Sequence, residues 1–374
     1  MTRESTQADL KRNLEENIVD KKYVTAEEYH RRSLWTRDVC FSAQGLALMG
    51  YRNVVIQHIE LHLESTEEMS LGAKVYDNVS IPHRVCCTTI CPLLSCQSPS
   101  QQALDTSNLK SVYWDSRGIV GFDGNLLILY AAKQIEYKLE GEVIQALVDA
   151  YTPYIYDGLL RQPAYSDFFD TQERSGVTFH LNYLYLWVIS TYKLRPEDEI
   201  QRQAARFVKV FYQAKIGLFR AEARTDTNTI LLDQLLFLAD DTITFPGVDR
   251  PTLLRSLLDS PLYFKDTNLA RCAYPSYPTR RISYHAFLGG MQHHHDLMVW
   301  PWLTAFLGSV CVQYHLVEEA DKIAVSLRAL YYRDETMMEI YSEAGEPFRS
   351  CTMRSEENFT MGLCQLYRLL HKLK

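Results

Sequence analysis

The sequence predicts an all-α protein. Apolar residues recur at three- and four-residue spacing along ten segments. No run of short alternating strands joined by hairpin dipeptides appears, which disfavours a parallel sheet or a β-sandwich. Taken in order, segment 39–49 repeats on Val39, Ala43 and Leu46, and 54–63 on Val55, Ile59 and Leu63. Segment 126–135 repeats on Leu126 and Leu129, and 143–151 on Val143, Leu147 and Tyr151. Leu181, Leu184, Val188 and Tyr192 mark 181–192, and Ala204, Phe207, Phe211 and Ala214 mark 204–214. Leu231, Leu235 and Leu238 define 231–238, and Leu303, Leu307, Val310 and Tyr314 define 303–314. Ile323, Leu327 and Leu330 lie in 323–331, and Leu363, Leu366 and Leu370 in 361–370. About ten to twelve helices of roughly 12 residues fit such a chain with room for substantial loops.

Composition narrows the function. Hydrophobic residues make up 47% and charged residues 23% of 374 residues, enough for a large core. A formal net charge of -7 argues against nucleic acid as the main partner, since phosphate neutralisation needs clustered Lys and Arg. A neutral substrate suits that balance better. The opening Met1-Thr2-Arg3-Glu4-Ser5 carries no apolar signal core and no stretch approaches a membrane span, so a cytoplasmic protein without membrane attachment is expected. Of nine cysteines, Cys86, Cys87, Cys91 and Cys96 crowd together without zinc-site spacing and read as reduced thiols. No Gly/Ser/Pro-rich linker divides the chain. Residues 25–374 are expected to form one domain, with 1–24 a charged helical arm.

Long polar or Pro-bearing connections run at 65–123, 157–176, 240–249, 261–292 and 336–358, and the candidate chemistry falls on them. Two acidic stretches stand out: Tyr165-Ser166-Asp167-Phe168-Phe169-Asp170-Thr171-Gln172-Glu173-Arg174 and Glu339-Ile340-Tyr341-Ser342-Glu343. Each sets carboxylates among aromatic rings, surroundings that favour the protonated carboxyl. Two carboxyl groups facing each other across a cleft are the machinery of glycoside hydrolysis, and that chemistry implies no metal or organic cofactor. His293-His294-His295-Asp296 invites a metal reading, but three consecutive histidines diverge on a helix, and a polar cleft rim fits them better.

A series of segments, taken in order, resembles the six-hairpin (α/α)6-toroid glycosidases, among them glucoamylase, trehalase, neutral invertase and the amylo-α-1,6-glucosidase domain of glycogen debranching enzymes. Ser33-Leu34-Trp35-Thr36-Arg37-Asp38 is similar to the W-x-R-D motif whose Arg and Asp grip sugar hydroxyls. Gly121-Phe122-Asp123-Gly124-Asn125 resembles the segment where an Asp opens a helix beside the cleft. Asp157-Gly158-Leu159 and then Asp170-Thr171-Gln172-Glu173-Arg174 resemble the approach to the general acid and the acid itself. Val299-Trp300-Pro301-Trp302 is similar to the debranching V-W-P-W. Glu339-Ile340-Tyr341, followed by Gly345 and Phe359-Thr360-Met361, resembles the closing segment that holds the base. The chain departs from the pattern at Phe169, where Trp is usual, and in lacking the W-S or W-T pair of the final helix.

The resemblance implies a toroid and an inverting hydrolase of α-glucosidic oligosaccharides or polysaccharides, with debranching-type α-1,6-glucosidase activity favoured. Invertase- or trehalase-like action on a disaccharide is the alternative, and a toroid that binds glycan or a partner without catalysis is the alternative of another class. Asp170 would be the acid, with Asp167 and Asp123 as alternates, and Glu339 the base, with Glu343 as alternate. Trp35, Arg37, Asp38, Asp123, Arg174, His295, Trp300 and Trp302 would contact sugar. Read from residues alone, Asp167 or Asp170 could equally cap a helix and Glu339 and Glu343 could be exposed loop charges.

Overall fold

Helices of this chain bury their surfaces in two distinct ways, and that difference builds the architecture. The computed structural model describes residues 2–26, 33–64, 78–80, 110–112, 121–169, 171–224, 227–288, 290–350 and 354–374. Within them lie the helices α1 (Arg3–Glu16), α2 (Thr36–Leu48), α3 (Arg52–Glu64), α4 (Gly124–Gln134), α5 (Gly141–Asp149), α6 (Phe179–Thr191) and α7 (Glu197–Phe211). There follow α8 (Leu235–Ala239), α9 (Arg250–Leu258), α10 (Tyr284–Leu288), α11 (Pro301–Gln313), α12 (Val317–Asp334) and α13 (Thr360–Lys372).

In α6 every residue from Phe179 to Ile189 is buried, and in α11 every residue from Pro301 to Cys311. A helix apolar on all sides must be enclosed on all sides. By contrast, α7 buries only Ile200, Ala204, Phe207 and Phe211, and α5 only Ile144, Leu147 and Val148. One stripe per helix suits an outer layer. The enclosed helices close a ring: α2 packs on α4, α4 on α6, α6 on the 3-10 turn Leu232–Gln234 that leads into α8, α8 on α11, α11 on α13, and α13 on α2. The striped helices α3, α5, α7, α9 and α12 alternate with them along the chain. The protein is an all-α (α/α)6 toroid.

Residues 3–16, expected as a charged arm, form α1 and bury Leu10 and Leu14 while packing on α13. The chain ends are stitched together there. Asn17 Nδ2 donates to Asn358 O at 2.6 Å and to Thr360 Oγ1 at 2.9 Å, and Thr360 N–H donates to Ala26 O at 2.8 Å. Helix α9 had its own signal in the sequence. Asp249 accepts from Thr252 N–H at the N-terminus, Pro251 stands in the first turn, and Leu253, Leu254, Leu257 and Leu258 form its stripe. Short antiparallel strand pairs trim the loops, and Ser33–Trp35, Asn78–Ser80 and Lys110–Val112 pair side by side in register. Cys40, Cys272, Cys311 and Cys364 are buried free thiols; the cluster of Cys86, Cys87, Cys91 and Cys96 lies outside the described residues.

Ring closure between α2 and α13 depends on one missing side chain. A Cβ at Gly45 would sit 2.4 Å from the carbonyl oxygen of Cys364, which belongs to the backbone of the facing helix. Beside it, Gln365 Nε2 donates to Phe41 O at 2.6 Å. Gly45→Ala is therefore expected to destabilise the protein by roughly 1–3 kcal/mol, seen as a lower urea midpoint. An unchanged midpoint would show that the two helices part without cost.

Candidate active site

The first turns of the inner helices meet at one end of the ring, and their charged residues interlock. Arg37 enters from the first turn of α2, and its Nε donates to Asp123, which precedes α4, at 3.1 and 3.2 Å to the two carboxylate oxygens. Its Nη2 donates to Ser166 O at 3.2 Å. Asp123 Oδ2 lies 3.5 Å from Nε2 of His180, in the first turn of α6, and His180 Nδ1 lies 3.7 Å from Asp233 Oδ2, just before α8. Four inner elements thus meet along one buried line of polar side chains.

Burial works against the Asp123 carboxylate, yet Arg37 and His180 outweigh it and hold its pKa below the usual range. A carboxyl so held carries no proton at neutral pH, so the alternate acid Asp123 is corrected to a structural anion. Asp233 behaves oppositely: burial pushes its pKa up to about 6, although Arg174 and His180 pull the other way. Arg37 and Asp123 hold each other and the loop at Ser166, whereas Asp38, one residue on in α2, stays partly exposed.

The loop between α5 and α6 is clamped onto this base. Asp167 and Arg174, both without solvent exposure, form an ion pair at 2.5 Å. The Asp167 oxygens also accept from Gln162 Nε2 at 2.8 Å and from Phe169 N–H at 3.0 Å. The Arg174 guanidinium lies 4.3 Å from the Phe169 ring centre and 5.6 Å from that of Phe168. Asp167 is thereby corrected from alternate acid to anchor, because its oxygens are occupied and sealed from ligand. Arg174, expected on the sugar, is buried beneath the loop. Phe169, at the position where the resemblance expects Trp, is wholly buried against Tyr277 and His295. Asp170 lies outside the described residues.

From Thr171 a continuous line of contacts crosses to the closing segment. Thr171 Oγ1 and His295 Nδ1 are 2.7 Å apart. The His295 ring stacks on Trp300 at 5.1 Å with an interplanar angle of 18°, and meets His294 edge-on at 4.6 Å. Trp300 Nε1 donates to His294 O at 2.8 Å. His294 Nε2 stands 3.9 Å from Glu339 Oε1, a carboxylate that keeps part of its surface in solvent. Val299 and Tyr341 exchange backbone hydrogen bonds of 2.8 and 2.9 Å, which seats the Glu339 strand beside the segment leading into α11. The structure therefore brings Thr171, His294, His295, Trp300 and Glu339 into one line of contacts. Trp302 faces the ring interior against Phe41 at 4.9 Å, and Trp35 packs at the edge of the core. Glu343 is exposed and paired with Arg271 at 3.1 Å, a surface ion pair with no place in that line, so it is corrected as an alternate base.

The histidine run adopts turns. His293 Nδ1 lies 3.1 Å from Asp296 Oδ1, and Asp296 also accepts from Leu297 N–H at 2.6 Å and Tyr277 N–H at 3.1 Å, so it braces the turn. Among the described residues no group of three or more His, Cys, Asp or Glu side chains could hold a metal ion. Among them too, no helix is long and apolar enough to cross a membrane. His180 and Asp233 escaped the sequence reading, though each left a trace: a histidine opening the most apolar helix, and a lone carboxylate in Leu231-Leu232-Asp233-Gln234-Leu235.

Comparison with known proteins finds the same architecture among solved structures. No family model and no curated protein matches the chain. Among solved structures, one titled a wild-type glycosidase aligns over 99% of this chain and 96% of its own, with a TM-score of 0.59 at 12% identity. A GH63 mannosylglycerate hydrolase from Thermus thermophilus in complex with glucose aligns over 97% of this chain and 99% of its own, with a TM-score of 0.58 at 12% identity. A rhamnosidase from Klebsiella oxytoca with rhamnose bound gives a TM-score of 0.62 at 13% identity over 97% of this chain and 63% of its own. At such identities the likeness establishes the shared fold.

Two outcomes follow for the buried charges. Removing one partner of the Asp167–Arg174 pair strands the other, so Asp167→Ala is expected to cost roughly 3–5 kcal/mol in urea unfolding; a cost under about 1 kcal/mol would show that the clamp is dispensable. Asp233 has a folded-state pKa above its unfolded value, so the fold binds the extra proton. Its stabilising effect is complete below the ordinary carboxylate range and is lost as pH rises to about 6. Asp233→Asn, which mimics the protonated form, is expected to raise stability by up to about 3 kcal/mol above that pH, with the gain vanishing near pH ~4. A gain that is the same at both pH values would refute the assignment.

Proposed function

We propose that the chain is an inverting glycoside hydrolase acting on an α-glucosidic oligosaccharide or polysaccharide, with a debranching-type α-1,6-glucosidase as the preferred activity. One observation carries the reading: the contact line from Thr171 through His295 and His294 to Glu339 joins the loop of Asp170 to the loop of Glu339. Asp170 would deliver its proton to the leaving oxygen as the bond from that oxygen to the anomeric carbon breaks. Glu339 would take a proton from the water that attacks the opposite face of the same carbon. The part-exposed Glu339 would keep access to the attacking water.

Hydrolysis of a small glycoside is a second reading. The mannosylglycerate hydrolase named above is matched along nearly its whole length, and its name records a small substrate. A substrate panel separates the two: glucose released from branched dextrins supports the first, and glucose released only from sucrose, trehalose or another small glycoside supports the second.

Asp170→Asn and Glu339→Gln are each expected to lower kcat by about 10²–10⁴-fold, with the substrate Kd little changed. Product released from an α-linked substrate is expected first as the β-anomer, followed by NMR before mutarotation. Unchanged turnover in Asp170→Asn, or release of the α-anomer, would defeat the mechanism. Sugar binding without turnover in the unmodified protein would identify a binding module instead.

A further inference from the structure

Helix α10 turns its large side chains outward. Tyr284, Phe287 and Leu288 are 70%, 51% and 48% exposed, while Ala286 is buried against the body of the protein. Positions i, i+3 and i+4 share one helix face, so the three form a single apolar patch on a helix of five residues. Such patches mark contact with a ligand or partner.

The mounting is specific in its position. Ile282 pairs with Gln172, and Ser283 N–H donates to Thr171 O at 2.8 Å, so α10 starts directly from the loop that carries Asp170. Just before it, the buried Arg281 binds Glu222 at 2.6 Å and donates through Nη2 to Glu173 O at 2.5 Å. Past its C-terminal end the chain reaches the closing segment, where a Cβ at Gly290 would lie 2.9 Å from Ser350 Cβ. Helix α10 is therefore a strut between the two loops on which the acid and the base are placed. Leaving histidines aside, residues 282–300 carry one charge, Asp296, and that carboxylate is turned into the protein. An uncharged aromatic surface suits a neutral sugar face better than a nucleic acid or an anionic membrane.

We propose that Tyr284, Phe287 and Leu288 form the platform on which the leaving-group end of an oligosaccharide substrate rests. The proposal depends on Asp170 being the proton donor. The donor would touch the leaving oxygen, so the sugars beyond that oxygen would lie toward the loop that α10 joins through Ser283 and Thr171. Aromatic rings stack on the apolar faces of those sugars and set the preference for longer substrates.

The test compares α-glucosyl fluoride, whose leaving group is too small to reach the platform, with a tetrasaccharide of α-linked glucose. Tyr284→Ala and Phe287→Ala are expected to raise KM for the tetrasaccharide about three- to tenfold and to leave kcat/KM for the fluoride unchanged. Equal effects on both substrates, or none on either, would overturn the platform while leaving the carboxylate assignment intact. Loss of tetrasaccharide turnover in Asp170→Asn with fluoride turnover largely kept, since fluoride departs without a proton, beside unaltered KM values in the α10 variants, would separate the two failures in the same way. If the unmodified protein hydrolyses neither substrate, the hydrolase reading fails, and calorimetric titration of the tetrasaccharide decides the platform by itself. Binding weakened about three- to tenfold by Phe287→Ala sustains it, and no binding or an unaltered Kd overturns it. A concentration-dependent dimer dispersed by Phe287→Ala would also overturn it, by assigning the patch to self-association.

Discussion

The ion pair between Asp167 and Arg174 is the constraint on which the site depends. Its partners bracket the six residues from Phe168 to Glu173, so closing the pair fixes where the chain enters and leaves that stretch. Both groups are sealed from water, where an isolated charge is costly, and the pair persists because Gln162, the Phe169 N–H and the faces of two phenyl rings complete its surroundings. Once the loop is closed this way, Thr171 reaches His295 and Ser283 reaches back to Thr171. The histidine line and α10 both inherit their position from that closure.

Beneath the loop, the ring supplies a second constraint. Inner helices present their N-terminal ends at one face, and the partial positive charge of a helix N-terminus favours anionic groups there. Asp123 stands at such an end, and Asp233 stands in the 3-10 turn that leads into α8. The arrangement is not uniform, however. Arg37 keeps Asp123 charged, while Asp233, lacking a partner of comparable strength, is left at the margin of protonation.

Much of the fold was legible in the residues, for reasons of periodicity. Segment 181–192 is apolar all round and lies on the inner helix Phe179–Thr191, and 204–214 carries one stripe and overlaps the outer helix Glu197–Phe211. Helix α9 was passed over although its capping Asp249, early Pro251 and leucine stripe were present. The strand of Ser33–Trp35 could not be read locally, since its partner Asn78–Ser80 is more than forty residues away and each strand is only three residues long. The same distance concealed the pairing of Arg37 with Asp123, which are 86 positions apart.

By itself the sequence determined that the chain is helical and that aromatic-flanked carboxylates sit on long connections. Local spacing and composition carry that information, because helix burial is periodic in the residues themselves. Only the tertiary structure decided which partner holds Asp123 and which holds Asp167. Asp123 and Asp167 both look like candidate acids in the chain, yet one is neutralised by Arg37 and the other by Arg174. Charge state and access are set by burial and by the partner a few ångströms away, and the fold alone brings that partner into reach.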